Sequence, residues 1–254
     1  MIEVYNEDCV SVLRRLEDES VDLFVTSPPY NLGIKYNSHN DEMDEVEYRI
    51  LLLDVFFEIN RVMKNNGSFF LNAGGTNKDP WRHYEIAVWA KKYFVLQNEI
   101  VWVKSISIEN DSYGHFKPIN SPRYLNHTHE FIYHFTKSGN VEINRKSIGV
   151  PFMDKSNINR WKGTEDLRCR GNSWFIPYET IQAKDEKGGH PAIFPKQLVE
   201  WCIKLHGYNP ETVVCDPFMG TGTTLIVAES LGVKGIGIEI DSGYVEYFKK
   251  RRMS

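Results

Sequence analysis

The segment Thr212-Val213-Val214-Cys215-Asp216-Pro217-Phe218-Met219-Gly220-Thr221-Gly222-Thr223-Thr224 limits the fold of this chain more than any other. A β-branched run ends in an acid, a glycine turn follows, and Leu225 to Leu231 has the composition of a helix. A second apolar run, Gly235 to Ile238, ends in Glu239. Strand, glycine turn, helix and strand in that order make a βαβ unit, whose strands lie parallel in one sheet. Glycine lets backbone approach a ligand closely. An acid about 20 residues further on, at the tip of the second strand, is placed to hold ribose hydroxyls. The pattern departs from G-x-G-x-x-G and lacks G-K-[ST], so it predicts a nucleoside ligand without a pyrophosphate or triphosphate.

Near the other end of the chain, Val21-Asp22-Leu23-Phe24-Val25-Thr26-Ser27-Pro28-Pro29-Tyr30 reads as a buried strand stopped by two prolines. Proline has no N–H for a ladder and holds φ near one value, so a stiff turn follows the strand's carboxyl end. A hydroxyl precedes that turn and an aromatic ring follows it. Open α/β sheets bind ligands at such strand ends.

Between these segments, strand and helix patterns alternate. Ile2 to Tyr5 is a short strand, and Val10 to Leu16 has helical spacing. Residues 31–47 read as a polar loop beside the proline turn, in a place where lids occur. Tyr48 to Met63 reads as a helix ended by Asn65-Asn66-Gly67, and Ser68 to Asn72 as a strand. Trp81 to Lys92 reads as a helix, Phe94 to Lys104 as one or two strands, 105–126 as loop, and His129 to Phe135 as a strand. The Pro195 region opens a helix with Leu198, Val199, Cys202 and Leu205 on its buried face. Together these predict an α/β fold: an open, mostly parallel twisted sheet with helices on both faces.

Residues 140–188 break the pattern. Periodicity is weak, and basic and aromatic side chains interleave: Arg160, Trp161, Lys162, Arg168, Arg170, Trp174, Phe175 and Tyr178. This reads as an insertion and not as another sheet layer, with cations for phosphates and planar groups for bases. The charge distribution agrees. The net charge is −4, yet residues 145–170 hold seven Lys/Arg against three acids, while residues 1–60 hold 14 acids against four Lys/Arg. A polyanion would meet a local basic segment.

The four cysteines (Cys9, Cys169, Cys202 and Cys215) form no C-x-x-C pair, which argues against a zinc knuckle or a disulfide framework. No metal site is expected. Neither a secretory signal nor an apolar run of membrane-spanning length is visible, so the expected location is cytoplasmic.

Taken together, Thr26-Ser27-Pro28-Pro29-Tyr30, His190-Pro191-Ala192-Ile193-Phe194-Pro195, the Asp216–Thr224 loop and Glu239 resemble the S-adenosylmethionine-dependent DNA amino-methyltransferases. The order, with the catalytic tetrapeptide first and the cofactor loop last, is that of the permuted β-type members. The resemblance covers nearly the whole chain. It implies a class I methyltransferase fold in a single domain over 1–254, with a catalytic half at 1–136, a cofactor half at 188–254 and a target-recognition insertion at 137–187.

The resemblance implies roles as well. Asp216, Pro217, Phe218, Gly220 and Gly222 would wrap S-adenosylmethionine, with Thr223 and Thr224 near its methionine carboxylate and Glu239 on its ribose. Asp8 and Cys9 would lie at its adenine, while His190, Phe194 and Pro195 would line its methionine end. Arg160, Lys162, Arg168, Arg170 and Trp174 would meet double-stranded DNA. A cognate restriction endonuclease and a homodimer belong to the same picture.

At the catalytic turn, Ser27, Pro28, Pro29 and Tyr30 would act on an exocyclic amine whose lone pair is delocalised into a base. Ser27 Oγ and the Pro28 carbonyl are suited to accept from the amine hydrogens and orient the nitrogen. Tyr30 offers a face for a base flipped from the duplex. Ser at the first position of the tetrapeptide resembles the members acting on cytosine N4, whereas adenine-N6 members usually carry Asp there. Adenine is the alternative substrate, and a non-catalytic cofactor-sensing module a more distant one.

Overall fold

In the computed structural model, β2 (Val21–Thr26) and β9 (Val213–Asp216) lie side by side and parallel, with Leu23 opposite Val214 and Phe24 opposite Cys215. The two ends of the chain therefore meet in mid-sheet. The described residues are 1–31, 42–114, 119–158, 165–177 and 194–253. The remaining strands of the main sheet are β1 (Ile2–Tyr5), β3 (Met63–Ala73), β4 (Val95–Val103), β7 (His129–Thr136), β8 (Ser173–Phe175) and β10 (Lys234–Ile238). A separate hairpin holds β5 (Ser105–Ile108) and β6 (Asp111–Gly114). The helices are α1 (Cys9–Leu13), α2 (Glu45–Val62), α3 (Arg82–Ala90), α4 (Lys196–His206), α5 (Thr223–Ser230) and α6 (Ser242–Met253).

The eight strands run in the order β1-β10-β9-β2-β3-β7-β4-β8. The first five are mutually parallel, β7 is antiparallel to both neighbours, and β8 is parallel to β4. The chain leaves β9 in one direction and β2 in the other, so the strand order reverses between them. Ligands of open α/β sheets bind at that reversal, beyond the carboxyl ends of the strands.

Both sheet faces are covered, which is why β2 is apolar at almost every position. Phe24 packs among α1, α2 and α3, while Leu23 and Val25 face α4. On the α2 side, Phe69 packs against Phe24, Phe56 and Phe135 at centroid distances of 6.4, 5.9 and 5.9 Å. Each such fully buried ring contributes roughly 1.5–3 kcal/mol. α6 packs Val245 and Phe248 against Leu225 of α5 and Met219.

Several expectations need correction. α2 ends at Val62, before Asn65-Asn66-Gly67, because Met63 already pairs with Val21 in the sheet. The register then jumps to Leu23 opposite Ser68, so the asparagines sit in a bulge inside the strand. Residues 105–114, read as loop, form a hairpin turning at Glu109, whose φ is +55°. The Ser-Ile-Ser-Ile alternation was its signal. Residues 173–175 do join the sheet, as edge strand β8 with Trp174 1% exposed. Three residues are too few to show a period. α6 has no counterpart in the sequence reading, since only Tyr244, Val245 and Phe248 bury apolar surface along it. Residues 32–41, the heart of the polar loop, lie outside the described residues. So does Arg160-Trp161-Lys162.

Candidate functional site

The Pro-Pro turn leaves the end of β2 directly above the crevice. Tyr30 Oη donates to the Asn72 carbonyl at 3.1 Å, and Ser27 Oγ lies 2.7 Å from Tyr30 Oη. A phenol has one proton, and a carbonyl has none to give. With the Tyr30 proton on Asn72, the Ser27–Tyr30 bond must be donated by the Ser27 hydroxyl. The lone pairs of Ser27 Oγ are then presented as acceptors. The Pro29 carbonyl is taken by Tyr48 Oη at 2.7 Å, whereas no donor among the described residues meets the Pro28 carbonyl. The turn therefore offers Ser27 Oγ and the Pro28 carbonyl as acceptors, held by a ring whose hydroxyl is anchored at both sides.

Behind the turn, Asn72 is itself held. Its Nδ2 donates to Glu130 Oε2 at 3.0 Å and to the Phe131 carbonyl at 3.1 Å, and Glu130 Oε1 pairs with Lys104 Nζ at 2.6 Å. β7 runs antiparallel to β3, which brings its first residues to the carboxyl end of β3. None of these three had a sequence signal except Asn72, a polar residue at the tip of an otherwise apolar strand.

Asp216, at the end of β9, does not face outward. Its carboxylate is buried and accepts from Thr26 Oγ1 at 2.6 Å, Thr224 Oγ1 at 2.7 Å and the Phe218 amide at 3.1 Å. Burial pushes its pKa up to about 6, against the pull of those hydrogen bonds. Asp216 thus ties the catalytic strand, the glycine loop and the first turn of α5 together. Thr223 and Thr224 are both buried, and the Thr224 hydroxyl is committed to Asp216.

Gly220 and Gly222 have φ of +51° and +79°. At Gly222 a Cβ would lie 2.1 Å from the Phe248 ring, so the demand for glycine there comes from α6 packing. Gly220 N donates to Glu239 Oε2 at 2.9 Å, and Asp241 N donates to Glu239 Oε1 at 2.8 Å. Burial raises the Glu239 pKa. A carboxylate has about four acceptor positions, so one on each oxygen stays available for a pair of vicinal hydroxyls. Asn6 Nδ2 donates to the Glu239 and Ile240 carbonyls at 2.8 and 3.1 Å, closing β1 against β10 at this end.

Asp8 caps α1 by accepting from Ser11 N at 2.8 Å, and burial pushes the Cys9 thiol up to about 12. Both belong to the same strand tips as Glu239. Ile240, 58% exposed beside the acid, offers an apolar face that the sequence reading passed over. Phe194 is half-buried against α4, and Pro195 stands at the N-terminal boundary of that helix without a side-chain capping bond. The strand tips therefore present a diol acceptor, an apolar face and a glycine turn, which fits a ribonucleoside such as the adenosyl group. His190 lies outside the described residues.

Of the residues expected at DNA, Arg168 is exposed. Arg170 is committed elsewhere: its Nε donates to the Ile148 carbonyl at 2.8 Å and its guanidinium lies 4.1 Å from the Trp201 ring centroid. Burial lowers its pKa. Trp174 is packed edge-on against Trp201 at 5.4 Å and donates to the Gly171 carbonyl, so its ring is placed in the core and not on a surface.

A family model described as DNA methylase, for N6 and N4 amino groups, matches residues 21–250. The chain is similar to the type II methyltransferase M.BglII of Bacillus subtilis, with 28% identity over 96% of this chain and 66% of the relative. It therefore spans about two thirds of that protein's length. It is 29% identical to the DNA adenine methyltransferase YhdJ of Escherichia coli, over 98% of this chain and 81% of that one. Among solved structures, the PvuII DNA methyltransferase, titled cytosine-N4-specific, shares the fold with a TM-score of 0.72 at 20% identity, covering 98% of this chain and 86% of the other.

Proposed function

The chain belongs to the N6/N4 DNA methylase family, and on that premise we propose that it methylates the exocyclic N4 amine of a cytosine flipped from double-stranded DNA. The methyl donor is S-adenosylmethionine, whose sulfonium supplies an electrophilic methyl group. What the protein must add is a nucleophile in the right place.

One observation carries this reading: the Ser27 hydroxyl is turned into an acceptor by the Tyr30–Asn72 bond. A base amine has two hydrogens and a delocalised lone pair. Ser27 Oγ and the Pro28 carbonyl accept from those hydrogens and turn the nitrogen's lone pair toward the cofactor side of the crevice. Positioning of this kind can supply several kcal/mol of the barrier. Ser27 is not the base, because an alcohol does not ionise near neutral pH; the proton that the amine sheds once its nitrogen is alkylated passes to solvent. Tyr30 offers its ring face to the extruded base, whose unstacking costs a few kcal/mol.

Cytosine is favoured by Ser27 at the head of the tetrapeptide and by the likeness to a solved enzyme titled cytosine-N4-specific. The second reading is adenine N6, supported by the name of the Escherichia coli relative. Incubation of duplex DNA with protein and labelled S-adenosylmethionine, followed by nucleoside mass spectrometry, separates them. Label in N4-methylcytosine is expected; label confined to N6-methyladenine replaces cytosine with adenine.

In this reading 1–136 is the catalytic half and 188–254 the cofactor half, with 137–187 contributing to DNA contact through Arg168. Arg123, stacked on the exposed Tyr124 at 5.0 Å, adds a cation and a ring on the loop leading to β7. The names of the type II relatives support a place in a restriction-modification pair.

A further inference from the structure

Arg170 and Trp174 are committed to the core, so cations beside the catalytic turn come from other elements. β7 is antiparallel to both neighbours, and its first residue, His129, therefore lies at the same end of the sheet as that turn, opposite Val103 at the end of β4. Three strand spacings separate β2 from β4, roughly 14 Å, the scale of the step from a base amine to the phosphate of the same nucleotide.

Three segments converge there. The Lys104 and Ser105 amides both donate to the Thr128 carbonyl, at 2.7 and 3.3 Å, which sets Lys104 beside His127 and His129. The turn after β3 is closed by Thr76 N on the Asp79 carbonyl and by Asp79 N on Thr76 Oγ1, and its tip carries Asn77 and Lys78. Asn77 Oδ1 holds the His127 ring through Nε2, fastening the loop that follows β3 to the one that precedes β7. An amide oxygen only accepts, so Nε2 carries the proton, and Nδ1 gains one when the ring is charged.

The acids of this corner are already matched. Glu130 gives one oxygen to Lys104 Nζ at 2.6 Å and the other to Asn72 Nδ2 at 3.0 Å, while Asp79 is held by Arg82 at 2.9 Å. His83 faces inward, stacked on Phe131 at 4.6 Å with Nδ1 3.0 Å from Tyr133 Oη. Toward solvent, the described residues here present Lys78 and the exposed rings of His127 and His129. Partial desolvation and the neighbouring Lys104 and His129 lower the His127 pKa. A phosphate brought against the ring reverses that balance, because an opposite charge in contact favours the protonated form.

We propose that Lys104, His127 and His129 form a seat for one phosphodiester of the strand whose base is flipped, and that the histidines take up protons when that phosphate arrives. This rests on the reading that a flipped base is methylated at Ser27-Pro28-Pro29-Tyr30. The seat is tied to that turn: Lys104 holds Glu130, Glu130 holds Asn72, and the Asn72 carbonyl holds Tyr30. Backbone engagement and base placement are joined by one chain of hydrogen bonds. DNA binding then tightens as pH falls from 8 to 6, where arginine and lysine keep a constant charge.

The test is calorimetric titration of mixed-sequence duplex DNA into the full chain near pH 7, in buffers of differing ionisation enthalpy, which counts protons taken up. Wild type should take up about one proton per binding event, and its affinity should rise roughly tenfold between pH 8 and 6. His127→Gln can still donate to Asn77 but cannot be protonated. Combined with His129→Gln, it should abolish the uptake and flatten the pH dependence. Lys104→Gln keeps a donor for Glu130 and should lower the slope of log affinity against log salt by about one. Thermal unfolding verifies that each variant is folded. Unchanged uptake in the folded double variant overturns the proposal, as does a wild type that binds DNA with no uptake. Methyl transfer to the same DNA is followed in parallel. Transfer without histidine-dependent uptake removes the seat alone, whereas DNA neither bound nor methylated removes the reading beneath it as well.

Discussion

Thr26 Oγ1 lies 2.6 Å from Asp216 Oδ1, joining residues 190 positions apart inside the core. Thr26 ends the strand that carries the catalytic turn, and Asp216 ends the strand that carries the cofactor loop. Their bond sets the distance between the two reacting ends of the site. It turns a carboxylate that would otherwise read as a ligand contact into the brace between the halves.

Thr26→Val keeps the side-chain shape and removes the donor. A buried carboxylate deprived of one hydrogen bond costs about 1–3 kcal/mol, so urea unfolding should show a loss of that size, while Thr26→Ser should retain most of the stability. Equal loss in both variants would assign the effect to packing.

The raised Asp216 value has a definite sign. Its folded pKa of about 6 lies above the unfolded value of about 4, so the native state holds the proton more tightly. Stability from this group is fully present below about pH 4 and falls as pH rises through about 6, by on the order of 2–3 kcal/mol. Asp216→Asn should remove that slope. Unfolding free energies of both proteins between pH 4 and 7.5 check it, and parallel curves would count against it.

At the catalytic turn, Tyr30→Phe keeps the ring but loses both hydroxyl bonds. Ser27 is then free to rotate, and the methyl-transfer rate should drop roughly tenfold, the equivalent of about 1.4 kcal/mol of lost positioning. Tyr30→Ala should cost more, with cofactor affinity nearly unchanged in both. Single-turnover transfer alongside calorimetric cofactor binding reads the two effects separately.

Glu239→Gln replaces one acceptor oxygen with an NH₂ that must face the amide of Gly220 or Asp241. Loss of charge-assisted bonds of about 1.5–3 kcal/mol corresponds to cofactor binding weaker by roughly 10- to 100-fold. Isothermal titration gives the value directly, and wild-type affinity would detach Glu239 from the cofactor.

Arg168 and Arg170 should separate, although both are basic residues of the same segment. Arg168→Ala should weaken DNA binding and lower the slope of log affinity against log salt by about one. Arg170→Ala should leave that slope alone and reduce stability, because it breaks the Ile148 bond and uncovers Trp201. Fluorescence titrations at several salt concentrations distinguish these outcomes.

The sequence by itself determined the α/β class, the βαβ unit around Gly220 and Gly222, the stop at Pro28-Pro29, and the acid at the tip of β10. Each follows from rules that act within a few residues: continuous apolar runs in strands buried on both faces, proline's missing N–H, and glycine's access to positive φ. Only the tertiary structure decided that Asp216 braces Thr26, that Ser27 points its proton at Tyr30, that Phe248 is what requires Gly222, and that Trp174 belongs to the core and not to DNA. Those outcomes depend on contacts between residues distant in the chain. Such contacts leave no period in the sequence, because a single hydrogen bond or ring contact constrains one side chain and not its neighbours.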